Sequence, residues 1–263
     1  MKLSIIIPVY NEKETIKEII QRVREAKIPY QKEIIIVDDN SSDGTRELLK
    51  NIQEKDKNIK LLFHKKNFGK GKSVSDGLKL VSGELVLIQD ADLEYNPEDY
   101  PSLLKPILEG KTDVVYGSRW RGTSQFRKNT FYFGNQFLTF LTRILYPQKI
   151  TDMLCGYKVF KSHILKSLSL QAQRFEICPE ITAKLTKRGY KIYEVPIHYN
   201  PRTKKEGKKI KWWDGVVVVV TLFKYHFNWG KIFTFLVIFW GFFVTLKYFL
   251  MLSCEINLCF PWR

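Results

Sequence analysis

Cysteine and histidine are scarce in this 263-residue chain, four of each, and they are scattered. Cys155, Cys178, Cys254 and Cys259 have neither the paired spacing of a zinc site nor that of a secreted disulfide framework, so ordinary reduced thiols are expected. His64, His163, His198 and His226 show no metal spacing and have no Ser or Cys nucleophile signature beside them, which leaves them as structural histidines. A Gly-x-x-x-x-Gly-Lys-Ser/Thr loop is missing, and no Gly-x-Gly-x-x-Gly follows the first apolar run, which argues against ATPase and dinucleotide chemistry. Internal repeats and low-complexity tracts are also absent. No cationic segment followed by a long apolar one opens the chain, since Leu3 to Val9 runs directly into Asn11-Glu12; the amino-terminal part is expected to stay in the cytosol. Acidic residues are outnumbered, 27 against 43 basic, and the net charge of +16 calls for an anionic partner. Charge alone leaves nucleic acid, an acidic membrane surface and phosphorylated small molecules open.

Apolar residues are plentiful at 44%, enough for a packed core. Short apolar runs at Leu3–Val9, Glu33–Val37, Ile59–Phe63, Leu85–Asp90 and Asp113–Arg119 read as strands. Between them lie segments with helical spacing, such as Ile16, Ile19, Ile20 and Val23, or Leu48, Leu49 and Ile52. The alternation predicts an α/β fold with a doubly wound, mostly parallel sheet and functional groups on loops at one edge. Further helices are expected near Pro97–Leu108, Phe131–Tyr146 and Pro179–Lys187, and a strand over Ile192–Tyr199.

The most informative stretch is Leu85-Val86-Leu87-Ile88-Gln89-Asp90-Ala91-Asp92-Leu93-Glu94, an apolar run delivering three carboxylates at every second position. An earlier strand also ends in paired carboxylates, Asp38-Asp39, so two acidic loops should converge where open α/β sheets bind ligands. Such a cluster is costly unless a cation neutralises it. A hard divalent ion, Mg²⁺ or Mn²⁺, would bridge Asp90, Asp92 and Glu94 to the phosphates of a nucleotide. Asp39 would accept hydrogen bonds from ribose or base. Gly69 and Gly71 read as turn formers, with Lys70 within reach of a diphosphate.

The second half changes character. Residues 201–211 carry six basic residues against one acidic, followed by Trp212-Trp213. Gly215 to Phe227 suits an interfacial helix, with a buried strand at Val216–Val220 as the competing reading. Ile232 to Leu252 is almost wholly apolar, and about twenty helical residues cross a hydrocarbon core of roughly 30 Å. The expected organisation is therefore a catalytic domain over 1–209, an interfacial amphipathic segment over 210–229, a transmembrane helix over 230–252 and a short tail over 253–263. The positive-inside bias places the catalytic domain on the cytoplasmic face of a membrane.

Pro8-Val9-Tyr10-Asn11-Glu12, Val37 to Thr45, Asp90-Ala91-Asp92-Leu93-Glu94, Gly117-Ser118-Arg119 and Thr151-Asp152-Met153 with Cys155 to Phe160 occur in order. Together they resemble the successive motifs of family 2 glycosyltransferases, and more closely those of the dolichyl-phosphate mannosyltransferase type, over about residues 3–215. The resemblance implies a GT-A fold, a nucleotide-sugar donor (GDP-mannose in the namesake enzymes), Mg²⁺ or Mn²⁺, and a polyprenyl phosphate acceptor. It also implies residue roles. Pro8, Tyr10, Glu12 and Asp39 match the nucleoside pocket, and Asp90, Ala91 and Asp92 the diphosphate and metal site; Glu94 stands where the mannosyltransferases carry a metal-binding Gln. Arg119 matches an arginine at the reacting phosphates, Arg127 and Asp152 lie on the acceptor side, and Arg202 with Lys208 or Lys209 matches a basic loop over the donor. Asp92 and Arg119 are the catalytic candidates.

The chemistry is consistent with that assignment on its own terms. A lipid phosphate is already anionic near neutral pH, so attack needs charge compensation and alignment more than a strong base. In-line displacement at the anomeric carbon would invert it. Two alternatives stay open: a family 2 transferase using UDP-glucose or another donor, or acting on a saccharide hydroxyl with Asp152 as base, and a basic membrane- or nucleic-acid-binding module. The module has no use for Asp90 and Asp92 and lacks any nucleic-acid motif, so nucleic acid is not an expected partner, whereas membrane lipids are.

Overall fold

The computed structural model describes residues 1–56, 58–122, 130–202 and 212–227. The chain divides into two units, Met1–Leu222 and Phe223–Arg263, and only residues 223–227 of the second are described. Along the chain the elements run β1 (Lys2–Val9), α1 (Ile16–Glu25), β2 (Gln31–Asp38), α2 (Thr45–Lys55), β3 (Ile59–Phe63), α3 (Lys70–Leu78) and β4 (Leu85–Ile88). A 3₁₀ turn (Pro97–Asp99), α4 (Tyr100–Leu108), β5 (Val114–Ser118), α5 (Thr130–Leu145), β6 (Lys158–Lys161), α6 (Ser162–Ser167), α7 (Ile177–Lys187), β7 (Ile192–Pro196) and α8 (Trp212–His226) come next.

The strands form one seven-stranded sheet in the order β3-β2-β1-β4-β6-β5-β7. β1 pairs in parallel with β2 and β4, as β5 does with β7, while β6 runs antiparallel to both neighbours, β4 and β5. The central strands are apolar at almost every position because helices cover both faces. Leu3, Ile5 and Ile7 join the cluster that includes Ile16, Ile19, Leu49, Leu103 and Ile107 of α1, α2 and α4. On the opposite face α3 lies so close that a side chain at Gly77 would touch Ile6 and Val37. Strand order reverses at β1, since β2 and β3 lie to one side and β4 to the other, and the crevice beyond their carboxyl ends is where this topology places ligands. Loops leaving β1, β2 and β4 there contain Asn11, Asn40 and Leu93 at φ 50°, 65° and 61°. Left-handed backbone at a leucine is strained and persists only where surrounding contacts over-determine it.

The mostly parallel α/β sheet agrees with the sequence reading. The Val216–Val220 run is helical, part of α8. Among the described residues no helix is long and apolar enough to cross a membrane; Ile232–Leu252 and the boundary at residues 207–211 lie outside the described residues.

At the opposite edge of the sheet, buried Glu33 ties three segments together. Its carboxylate accepts from the Ser4 hydroxyl, the Ser82 amide (2.7 Å) and the Ser82 hydroxyl (2.7 Å), and pairs with Lys2 (2.9 Å) and Lys60 (3.0 Å). Burial alone would raise the Glu33 pKa, but the hydrogen bonds from Ser4, Ser82 and Lys2 overcome it and hold the group far below the usual carboxylate range. A lowered folded pKa contributes stability that is complete above the unfolded value, about 4.3, and is lost as pH falls below it. Glu33→Ala should therefore cost about 2–3 kcal/mol in urea unfolding at pH 7, because it strands buried polar groups. The gap to wild type should narrow below about pH 4. A pH-independent gap would show that only packing was lost.

Candidate active site

Each acidic loop is built onto a strand end. β4 stops at Ile88, and Gln89, fully buried, anchors the acidic turn beyond it: its Oε1 accepts from Tyr100 and Tyr157 hydroxyls (2.7 Å each) and its Nε2 donates to the Asp90 carbonyl (3.0 Å). Asp90 pairs with Lys70 at the start of α3. Burial alone would lower the Lys70 pKa, yet Asp90, with Cys178 and Asp92 behind it, raises it. Gly156 allows this packing, since a side chain there would collide with the Asp90 carboxylate and the Tyr95 ring. Ala91 is buried, and Arg202 Nη2 stands 3.4 Å from Asp92 Oδ2.

The residues after Ile88 form a turn in which Leu93 is left-handed. Glu94 lies beside Asp92, its amide donating to Asp92 Oδ1 (3.2 Å), and its carboxylate accepts from the Tyr199 hydroxyl (2.9 Å) and the Arg202 amide (2.8 Å). Among the described residues no three of His, Cys, Asp or Glu gather to hold an ion.

Where β1 ends, Pro8 precedes the closing Val9, and Tyr10 just beyond is 36% exposed. Buried Glu12 takes Arg202 in a bidentate pair, 3.0 Å to each oxygen, and joins β1 to a residue 190 positions away. Asp39 is also buried; Oδ1 meets His64 Nδ1 (2.8 Å) and the Phe68 amide (2.9 Å), and Oδ2 the Gly69 amide (2.6 Å). Gly69 has φ 98°, and a side chain would strike the Gln173 carbonyl, so the loop that presets Asp39 requires glycine.

The third cluster joins β5 to β7. Arg119 donates through Nε and Nη2 to the two oxygens of Asp152, 2.7 Å each, and its amide adds 3.0 Å to Oδ2. Burial opposes the Arg119 charge, but Asp152 and then Tyr95 raise its pKa well above the ordinary value. Buried Glu194 in turn accepts from the Thr151 amide (2.8 Å), the Thr151 hydroxyl (2.8 Å) and the Asp152 amide (2.9 Å). Cys155 below is buried, which pushes its thiol up to about 12 and makes it inert. Arg127 and Lys208 lie outside the described residues.

Residues 4–169 match the Glycosyl transferase family 2 profile. A dolichol-phosphate mannosyltransferase of Pyrococcus furiosus is 32% identical over 213 residues, covering 79% of this chain and 59% of that protein. The chain belongs to glycosyltransferase family 2.

A UDP-N-acetylglucosamine–dolichyl-phosphate N-acetylglucosaminyltransferase of Methanococcus voltae is likewise 32% identical to this glycosyltransferase, over 74% of the chain and 84% of that relative. The chain spans about three-fifths (59%) of the Pyrococcus protein's length. Glucosyl-3-phosphoglycerate synthase of Mycobacterium tuberculosis, solved with Mn²⁺, UDP and glucosyl-3-phosphoglycerate, has the same GT-A-like fold, with TM-score 0.65 and 20% identity over 85% of this chain and 79% of that one.

A divalent ion fits the glycosyltransferase's donor set. Mg²⁺ is commonly held by one or two carboxylates with substrate phosphates and waters completing its shell, and Asp90 and Asp92 supply two. Burial, with Asp90 and Glu94 alongside, pushes Asp92 up to about 7, the behaviour of a carboxyl whose surroundings supply too little positive charge. Sequence reasoning missed Gln89, Tyr199 and Glu194. A signal for two of them was present: Gln89 ends an unbroken apolar run, and Glu194 interrupts the apolar positions of Ile192–Pro196, where a buried polar group needs partners.

Proposed function

We propose that this family 2 transferase moves mannose from GDP-mannose to a polyprenyl phosphate at the cytosolic face of a membrane, inverting the anomeric carbon. The observation that carries the acceptor class is Asp152. A saccharide hydroxyl would need a base, and Asp152 is fully buried with both oxygens engaged by Arg119. An acceptor phosphate needs no base, and Arg119 offers the charge such an anion requires. Polyprenyl phosphates also appear in the names of the Pyrococcus and Methanococcus relatives and of a Salmonella choleraesuis undecaprenyl-phosphate 4-deoxy-4-formamido-L-arabinose transferase, 30% identical over 76% of this chain and 60% of that one.

Glu12 and Asp39 are assigned to the nucleoside, with Pro8 and Tyr10 at its edge, and Ala91 and Arg202 to the diphosphate. Asp90 and Asp92 would hold Mg²⁺ or Mn²⁺, which when bound compensates the charge of the departing diphosphate. Lys70 keeps Asp90 oriented and Arg119 aligns the incoming phosphate. Arg127 and Lys208 are proposed as further contacts to acceptor and donor.

Membrane lipids as a partner are supported by α5, whose Phe133, Phe137, Phe140 and Ile144 recur at helical spacing and are 59–63% exposed. Trp212 and Trp213, exposed at the start of α8, are residues enriched at membrane interfaces. The 230–252 span is proposed on sequence alone.

The test is a membrane assay of labelled GDP-mannose, UDP-glucose and UDP-N-acetylglucosamine with polyprenyl phosphate, with and without EDTA. The expected product is an acid-labile lipid-linked β-mannose, made only with the ion. Transfer restricted to saccharide hydroxyls, or retention of the α linkage by NMR, would overturn the reading.

A further inference from the structure

One face of α7 carries three charged residues four apart: Glu176 at the N-cap, Glu180 and Lys184. Each holds the backbone of residues 169–174. Lys184 donates to the Ser169 carbonyl (2.8 Å), and fully buried Glu180 accepts the Gln171 amide through Oε1 (2.8 Å) and the Ala172 amide through Oε2 (2.7 Å). Glu176 takes the next two amides, Gln173 (3.0 Å) and Arg174 (3.1 Å), both on Oε1. Four consecutive amides are thus committed to two carboxylates, and such charge-assisted bonds leave the loop between α6 and α7 little freedom to shift. The carbonyls of the same loop meet the start of α3. The Gln173 carbonyl accepts from the Lys72 amide (2.9 Å), and a side chain at Gly69 or Gly71 would strike the Gln173 or Ala172 carbonyl, at 2.6 and 2.5 Å respectively. The turn seated there supports the crevice, since the Phe68 and Gly69 amides hold the two oxygens of Asp39 and Lys70 pairs with Asp90.

We infer that Glu176 and Glu180 are positioning residues for the donor site, acting through residues 171–174 on the turn of residues 68–72. Their carboxylates fix two carbonyls, and those carbonyls fix where the turn can sit, because glycine at 69 and 71 brings backbone against backbone with no side chain between to adjust. A displaced platform would carry the Phe68 and Gly69 amides off Asp39 and move the Lys70 ammonium relative to Asp90. The two glycines are therefore seats on a carbonyl surface, and the two glutamates of α7 act on donor binding through the backbone. This rests on the proposed donor site only for its functional consequence, since the seating itself can be measured without any ligand.

The two glutamates differ in a way that makes the test specific. Glu176 uses one oxygen for both amides, so Glu176→Gln can offer its carbonyl oxygen to both, whereas Glu176→Ala leaves both open. Glu180 uses both oxygens, so Glu180→Gln must turn its NH₂ toward one of two amides, donor against donor. In hydrogen exchange of the full-length protein, the Gly69 and Lys72 amides should exchange about tenfold or more faster in Glu176→Ala and Glu180→Gln. They should stay near the wild-type rate in Glu176→Gln, and β1 amides should be unchanged in all three. Calorimetric titration with GDP and with UDP, each with Mn²⁺, should give about three- to tenfold weaker binding of the preferred nucleotide in Glu176→Ala and Glu180→Gln, and full affinity in Glu176→Gln. The KM for polyprenyl phosphate should stay within about twofold of wild type throughout, a split between donor and acceptor that general loosening of the fold would not produce. Unchanged Gly69 and Lys72 exchange in Glu176→Ala, faster exchange with nucleotide affinity intact, or equal damage from Glu176→Gln would overturn the inference. If the wild-type protein binds neither nucleotide, the donor-site reading falls and takes the functional consequence with it, and the exchange result still decides the seating.

Discussion

Asp92→Asn should lower kcat by about 10³-fold, equivalent to about 4 kcal/mol of transition-state stabilisation, with the nucleotide-sugar KM changed far less. The asparagine keeps the size of the side chain and one oxygen, so the change removes charge at the point where the diphosphate departs. Stability should move the other way. Asp92 has a raised folded pKa, so its protonated form favours the native state; that contribution is complete below the unfolded pKa, about 3.9, and is lost as pH rises through about 7. In EDTA, Asp92→Asn should therefore melt no lower than wild type at pH 7.5, and the two should converge near pH 4. A variant that is inactive and also less stable at pH 7.5 would mean that Asp92 supports the fold and not the reaction.

That opposition between stability and activity explains which parts of the molecule could be read in advance. β1, β2 and β4 were legible because burial on both faces leaves runs of apolar side chains at their centres, a signal that survives without knowledge of neighbours. β6 was not recognised as an antiparallel insertion, because Lys158-Val159-Phe160-Lys161 is four residues long with no hairpin signal, and its pairing with β4 and β5 is decided by strands far away in sequence. The same limit applies in the site. Asp90 and Asp92 were identifiable as strand-end carboxylates, whereas the bonds from Tyr199 and Arg202 to Glu94 were not. The left-handed Leu93 before Glu94 is held by tertiary contacts, which alternation cannot encode. Arg119 and Asp152 were placed on the reacting side by motif, whereas their direct pairing, and the support of Asp152 by Glu194, depend on β5 and β7 lying side by side.

Arg119→Ala should abolish turnover and also cost about 3–5 kcal/mol of stability, because it leaves the fully buried Asp152 without its counter-charge. Taken alone, that result would not separate a group that binds the acceptor phosphate from one that merely completes a buried pair. The pair itself provides the separation. Replacing both partners, as in Arg119→Met with Asp152→Asn, removes the stranded charge as well as the cation, and buried pairs exchanged in this way commonly lose little stability. The amide oxygen introduced at position 152 can still accept from the backbone amide of position 119, and the backbone amide of position 152 still donates to Glu194. The double variant should then recover most of the urea midpoint while acceptor turnover stays about 10²–10³-fold down, the loss typical of removing one preorganised charge-stabilising group. Asp152→Asn alone should keep measurable activity on lipid phosphate, with an unshifted pH profile, since Arg119 keeps its charge and no base has been removed. Activity restored along with stability in the double variant would assign Arg119 a purely structural role; loss of turnover in Asp152→Asn, with the acidic limb of the pH profile gone from what remains, would return Asp152 to the role of base and the acceptor to the hydroxyl class.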